Sequence, residues 1–219
     1  MRADTRPDAP YPRRHDSFFA HHGLWAPGVR LFRQMQFGSK ALVISLAFLV
    51  PLISLIVWLQ STLVDDAMTA REKATRQHVE VAHGVLTSAH ALETSGKLTR
   101  DEAQRLARDT VAALRYDGKE YFWINDMHPR VVMHPIKPEL DGQDVSATKD
   151  PNGLALFAAF VDQVRREGQG FVAYQWPRPG AVEPVDKLSY VKGFAPWGWV
   201  IGSGIYIDDL RHAAQARLA

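Results

Sequence analysis

From Ala41 to Val64 the chain carries no charge (ALVISLAFLVPLISLIVWLQSTLV). At 1.5 Å rise per residue this run makes a helix of about 36 Å, enough to cross a hydrocarbon layer of roughly 30 Å with some tilt. Pro51 stands near its middle, where it would break a soluble helix but is tolerated as a kink in a membrane helix. Trp58 suits the outer interface. A cleaved leader fits poorly, because 40 residues precede the run, it exceeds the usual apolar region, and no small-x-small cleavage pattern follows. Beyond it, Ala67, Ala74, Val81, Val85 and Leu92 approximate an inward helical stripe. The pattern therefore predicts that the membrane helix continues outward to the "SGK" at Ser95–Lys97. "TRDE" at Thr99–Glu102 is a capping box. It opens a second helix to about Leu114, with Ala103, Leu106, Ala107, Val111 and Leu114 facing inward.

After the turn signal Asp117-Gly118 the period shortens toward two. Glu120–Ile124 and Arg130–His134 read as short strands joined by "NDMHP". A longer loop leads to a helix over Leu154–Arg166. Three further strands follow at Gly170–Trp176, Lys187–Phe194 and Trp199–Tyr206, and residues 207–219 look helical again. Short connections favour antiparallel neighbours. The expected fold class is α+β: an N-terminal transmembrane helix continuing into a long helix, then a five-stranded antiparallel sheet with helices on one face. No internal repeat is visible.

Composition narrows the function. Net charge is +2 with 23% charged residues, which gives no basic face for nucleic acid. The chain has no cysteine, so disulfides, thiol catalysis and cysteine-ligated metals are excluded. Seven Lys or Arg residues precede Ala41 within residues 1–40, while Asp65 and Asp66 follow the span at once. The positive-inside rule then places the N-terminus in the cytoplasm and residues after Val64 in the periplasm. Residues 1–40 read as a largely disordered cytoplasmic tail, with apolar positions such as Phe18, Trp25 and Phe32 suited to lie along the membrane surface.

Several motifs occur in order: "YFWINDMHPRVVMHPIKPELDGQDVS", "GFVAYQWPRPG" and "PVDKLSYVKGFAPWGWVIGSGIYIDD". After a membrane helix and a long helix, they resemble the periplasmic single Cache (PAS-like) sensor domain of bacterial methyl-accepting chemotaxis receptors, over residues 65–212. The resemblance implies a PAS-like sheet lining a pocket for a small organic acid, and a homodimer formed through the long N-terminal helix. The expected organisation is a tail (1–40), a transmembrane helix (41–64), a sensor domain (65–212) and an exit helix (207–219). The chain ends before the second membrane span, HAMP module and signalling hairpin that the family carries. A sensor for a histidine kinase or diguanylate cyclase, or a ligand-free tethered interaction module, are the alternatives.

Strand alternation sets Tyr121 and Trp123 on one face, Phe122 and Ile124 on the other. Tyr121 and Trp123 suit either a pocket wall or the core; Phe122 and Ile124 suit the core. His134 can donate to a carboxylate or serve the fold. His128 belongs to a solvated turn, and the two histidines lack a third partner that would make a metal site. A carboxylate needs a cation, and Arg115, Lys187 and Lys192 are the candidates. Arg115 can equally serve its helix C-terminus. Lys187 and Tyr190 are an odd number of positions apart, so a regular strand aims only one of them inward. Tyr174 and Trp176 share a face and stand between pocket and core. Gly202 and Gly204 permit close backbone approach. The candidate ligand-binding residues are therefore Arg115, Tyr121, Trp123, His134, Tyr174, Lys187 and Tyr190. No nucleophile elbow, zinc-helix motif, paired carboxylates or cofactor loop is present, so the chain reads as a non-enzyme without a cofactor.

Overall fold

The computed structural model describes residues 35–207, and the chain divides into two compact units, Met1–Gln60 and Ser61–Ala219. Of the tail expected over residues 1–40, residues 1–34 lie outside the described residues, as do residues 208–219 of the exit helix expected over 207–219; Phe37–Lys40 already belong to the long helix, which corrects the expected end of the tail. One helix, α1 (Phe37–Thr94), begins in the first unit and ends in the second. In the first unit its apolar side chains are exposed, and it is long and apolar enough to cross a membrane by length and composition. Pro51 lies inside it, and the Ser54 hydroxyl donates to the carbonyl of Val50 at 2.8 Å.

In the second unit α1 buries Thr75, Val79, Ala82, Leu86 and Ala89, a four-three-four-three spacing that keeps one face inward. This corrects the stripe expected through Val81, which is 72% exposed. Small side chains at Ala82 and Ala89 let the helix lie close against its neighbours. The bulkier Val81, Val85 and Leu92 instead line an open groove shared with Leu106 and Thr110 of α2 (Arg100–Ala113). Helix α2 starts as expected. The Thr99 hydroxyl accepts from the Glu102 N–H, and the Glu102 carboxylate accepts from the Thr99 N–H at 2.8 Å. Its inward face is Ala103, Ala107 and Val111, whereas Leu106 is exposed.

The sheet comprises β1 (Trp123–Asp126), β2 (Val131–Met133), β3 (Gln169–Pro177), β4 (Pro184–Phe194) and β5 (Trp199–Tyr206). It is fully antiparallel, in the order β2-β1-β5-β4-β3. The chain thus inserts its last strand between its first and its fourth. Strand β1 starts later than the pattern predicts, because the backbone of Glu120 is already paired with Tyr116 across the Asp117-Gly118 turn (3.1 and 3.3 Å). At its other end Asp126 closes the hairpin, its carboxylate accepting from the N–H groups of His128 and Arg130.

Helices cover both faces of the sheet, not one. Helices α1 and α2 pack with Phe122, Ile124, Tyr190 and Ile201. Helix α3 (Leu156–Glu167) packs on the opposite face, where Phe157 and Phe160 meet Tyr121, Trp123, Tyr174 and Trp176. The reason lies in β5, whose every residue is buried, so both of its faces require a cover. Gly168 ends α3 in a left-handed conformation (φ 75°) that a side chain rarely adopts.

Candidate ligand-binding site

Antiparallel register assembles a row of side chains across the α3 face of the sheet. Lys187 of β4 is opposite Tyr174 of β3 on one side and Tyr206 of β5 on the other. Residues opposite each other on one sheet face bring their side chains together. The Lys187 ammonium donates to the phenol oxygens of Tyr121 (3.2 Å) and Tyr206 (3.4 Å). It also lies 4.5 and 4.6 Å from the centres of those two rings, with the Trp123 ring at 6.0 Å. Lys187 is 1% exposed. Burial lowers its pKa to about 8, the Glu120 charge opposes that shift, and the Arg178 charge adds to it. The amine is therefore still protonated at neutral pH. A cation held in a low-dielectric cage of aromatic faces attracts an anion far more strongly than one in water.

The cage is fixed from several sides. Tyr206 donates to the carbonyl of Pro177 at 2.9 Å, and the Arg178 guanidinium stacks 4.5 Å from its ring. The Tyr174 hydroxyl pairs with Ser189 at 2.9 Å. The Trp123 indole donates to Asn125 at 3.1 Å and lies flat over Gly202. A Cβ at position 202 would stand 2.5 Å from the indole, so only glycine leaves room for it. Burial pushes Tyr121 up to about 12 and raises Tyr174 and Tyr206 as well, which keeps all three phenols neutral donors or acceptors.

His134 closes the row at its outer end, 3% exposed, with its ring 5.1 Å from Tyr121 and 6.1 Å from Trp176. It follows β2, and the segment beyond folds back on it. Nδ1 accepts from the N–H groups of Ile136 (3.3 Å) and Lys137 (3.0 Å), while the backbone N–H of His134 donates to the Asp141 carboxylate at 2.7 Å. An imidazole whose Nδ1 accepts carries its proton on Nε2. Burial, then the charges of Lys187 and Lys137, lower its pKa to about 3, so the ring is a neutral Nε2–H donor. Lys137 places its ammonium 4.6 Å over the Trp176 ring on the same side.

Five of the seven residues expected from the sequence thus converge: Tyr121, Trp123, His134, Tyr174 and Lys187. Arg115 and Tyr190 are not brought to this row. Arg115 is exposed, and its guanidinium donates to the carbonyls of Ala112 and Leu114 at the end of α2 (2.7 and 2.6 Å). Tyr190 lies on the opposite face, 4.9 Å from Phe171 and beneath Arg76 of α1. The odd spacing from Lys187 holds without a bulge in β4. Lys192, the third candidate cation, pairs with Glu80 of α1 on that same opposite face. His128 is exposed in the hairpin turn. Sequence reasoning missed Tyr206. Its signal was present: Gly202, Gly204 and Tyr206 share one strand face, where Gly202 leaves room for the Trp123 ring and Gly204 for the Ser189 side chain beside Lys187.

A long helix, a five-stranded antiparallel sheet of this order and a polar-aromatic row on the far face define the Cache type of extracytoplasmic sensor. Residues 67–218 match the single Cache domain 2 family, and the chain belongs to it. It is 50% identical over 146 residues to the methyl-accepting chemotaxis protein McpP of Pseudomonas putida, covering 67% of this chain and 27% of that one. The chain thus spans about a quarter of that relative's length. Two solved structures superpose with TM-scores of 0.63. One, a periplasmic sensor domain of a chemotaxis protein, is 52% identical and covers 64% of this chain and 96% of its own. The other, described as carboxylic acid recognition by a Cache chemosensory domain, is 48% identical and covers 65% and 97%.

Proposed function

We propose that the Cache domain of this chain binds a small carboxylate of short carbon chain, and that binding is the input to a chemotaxis receptor. The observation that carries this reading is the buried Lys187 ammonium held between Tyr121 and Tyr206. A carboxylate there would accept from Lys187 and from the Tyr121 phenol, with the His134 Nε2–H as a further donor. Its carbon tail would face Trp123, Phe157 and Phe160, which reward a methyl or ethyl group and offer nothing polar to a longer hydroxylated one. The carboxylic acid recognised by the 48%-identical structure supports the same ligand class. The role is one of binding and signalling, with no catalysis.

The test is calorimetry and thermal melting of the full chain in detergent with acetate and propionate, using acetamide as the neutral control. Acids should raise the melting temperature by mass action, by about 2.7 kcal/mol of stability at a hundredfold excess over Kd, and acetamide should not. Equal responses to acid and amide, or none to any short acid, would overturn the assignment.

Two further elements of the reading concern placement. The anchor crosses once with the N-terminus inside, motivated by the basic flank before Ala41 and by Asp65-Asp66 after the span. An alkaline phosphatase reporter at Ala219 should be active; activity only of a cytoplasmic reporter reverses the topology. The open groove of Val81, Val85, Leu92 and Leu106 receives the same helix of a second copy, because Val81 and Leu106 are apolar side chains left exposed along the long helix and its neighbour. Light scattering should then give a dimer that Val81→Asp converts to a monomer.

A further inference from the structure

Tyr116 and Ser203 stand between the Lys187 cage and the long helix, and neither touches the cage's cation. Ser203 lies on the face of β5 opposite to Lys187, fully buried. Its hydroxyl donates to the carbonyl of Tyr121 at 2.5 Å and pairs with the Tyr116 hydroxyl at 2.7 Å. A carbonyl only accepts, so the single Ser203 proton is spent on Tyr121, and Tyr116 must be the donor to Ser203. The chain of bonds therefore runs in one direction: Tyr116 O–H to Ser203 Oγ, Ser203 O–H to the Tyr121 carbonyl. Tyr121 is the residue whose phenol takes the Lys187 ammonium on the other side of the sheet.

At its far end the chain meets α1. The Tyr116 ring lies 4.2 Å from the imidazole of His78 and 5.4 Å from Phe122. The His78 Nδ1 is buried without a hydrogen-bond partner among the described residues. The position of Tyr116 is also tied to the cage through its own backbone. Tyr116 and Glu120 pair across a two-bond turn whose Asp117 (φ 44°) and Gly118 (φ 76°) are both left-handed, and Glu120 bears on the Lys187 charge. Residues 116–121 thus form one short strap with its two ends on opposite faces of the sheet.

We propose that Tyr116 and Ser203 are the positioning residues that couple occupancy of the Lys187 cage to α1 at His78. The coupling rests on the reading of the cage as the ligand site. An anion drawing the Lys187 ammonium off the Tyr121 phenol would let Tyr121 shift. The shift would reach Tyr116 through the Ser203 bridge, and the ring of Tyr116 would move against His78. Spatial intermediacy alone does not establish coupling; a response that disappears when the bridge is cut does.

The experiment uses the full chain in detergent with ring-labelled histidine, the His78 signal being assigned by its loss in His78→Gln. The neighbouring Tyr116 ring makes that signal sensitive to small displacements. Lys187→Met perturbs the cage without any ligand, and acetate perturbs it by binding. Lys187→Met should shift the His78 signal, and the shift should vanish in the backgrounds Ser203→Ala and Tyr116→Phe. Each of these removes one oxygen and leaves every ring in place. Acetate affinity in those two backgrounds should stay within about threefold of the parent, less than the tenfold that 1.4 kcal/mol represents. A shift that persists in both backgrounds, or no shift on Lys187→Met, overturns the proposal. Acetate that fails to bind while Lys187→Met still moves His78 sinks the carboxylate reading and leaves the coupling standing.

Discussion

Lys187 and His134 are two bases that burial holds below their ordinary pKa values, and each leaves a signature in stability against pH. A lowered folded-state pKa means that the unfolded chain binds more protons between the two values, so stability rises with pH across that window. For Lys187 the window runs from about 8 to 10.5. Stability should increase there by at most about 3 kcal/mol, at about 1.36 kcal/mol per unit, and Lys187→Met should flatten the rise in urea midpoints measured at pH 7.5 to 10.5. For His134 the window runs from about 3 to 6.5, and stability should fall by about 1.4 kcal/mol for each unit of acidification within it. His134→Asn keeps an acceptor near the place of Nδ1 and does not titrate. It should remove that acid slope while weakening acetate binding about ten- to a hundredfold through loss of the Nε2–H donor. An unchanged slope would mean that the imidazole is not the buried titrating group.

At the scale of elements, the two faces of β1 and β5 carry different duties. Phe122 lies on the α1/α2 face in the core, beside Tyr116. Phe122→Ala should cost about 3–5 kcal/mol in denaturant unfolding and leave acid affinity nearly intact at temperatures where the fold persists. Gly202 lies on the other face, under the Trp123 indole. Gly202→Ala must tilt that indole, so it should weaken acid binding together with stability, and Trp123 fluorescence should report the displacement. If Gly202→Ala leaves affinity untouched, Trp123 is a structural ring and no wall of the site. The strand order makes these assignments possible. Because β5 enters between β1 and β4, it brings Tyr206 beside Lys187 and Gly202 beneath Trp123 in the same step.

At the scale of the whole molecule, residues 67–218 match the single Cache domain 2 family, and the long helix carries both the apolar run and the first helical layer of that domain. The sheet separates the Lys187 row on the α3 face, the proposed carboxylate site, from α1 on the other. Any message to the long helix must therefore pass through or around the sheet. Ser203 is a polar side chain placed where it can pass through, and the strap of residues 116–121 goes around the edge. A chain that carries both should respond to a small acid without large movement of either layer, so small-angle scattering of the full chain should change little on acetate addition while the His78 signal moves.

The sequence alone determined the apolar run, the capped second helix, the five strands and the alternation that separates Tyr121 and Trp123 from Phe122 and Ile124, because these follow from local periodicity and local hydrogen bonding. It also determined that Lys187 and Tyr190 face opposite ways, since parity within one strand needs no partner. Tertiary structure alone decided which strand each residue lies beside. That Tyr206 flanks Lys187 follows from β4–β5 register, a long-range pairing with no local trace. Arg115 is the opposite case: its bonds to the carbonyls of Ala112 and Leu114 are local, and service to its own helix end was one of the two readings the sequence offered. The stripe of α1, by contrast, was misread for want of its neighbours. Hydrophobicity pointed to Val81, but the close approach of helix and sheet favoured the smaller Ala82 and Ala89, and size matters only once a neighbour is present.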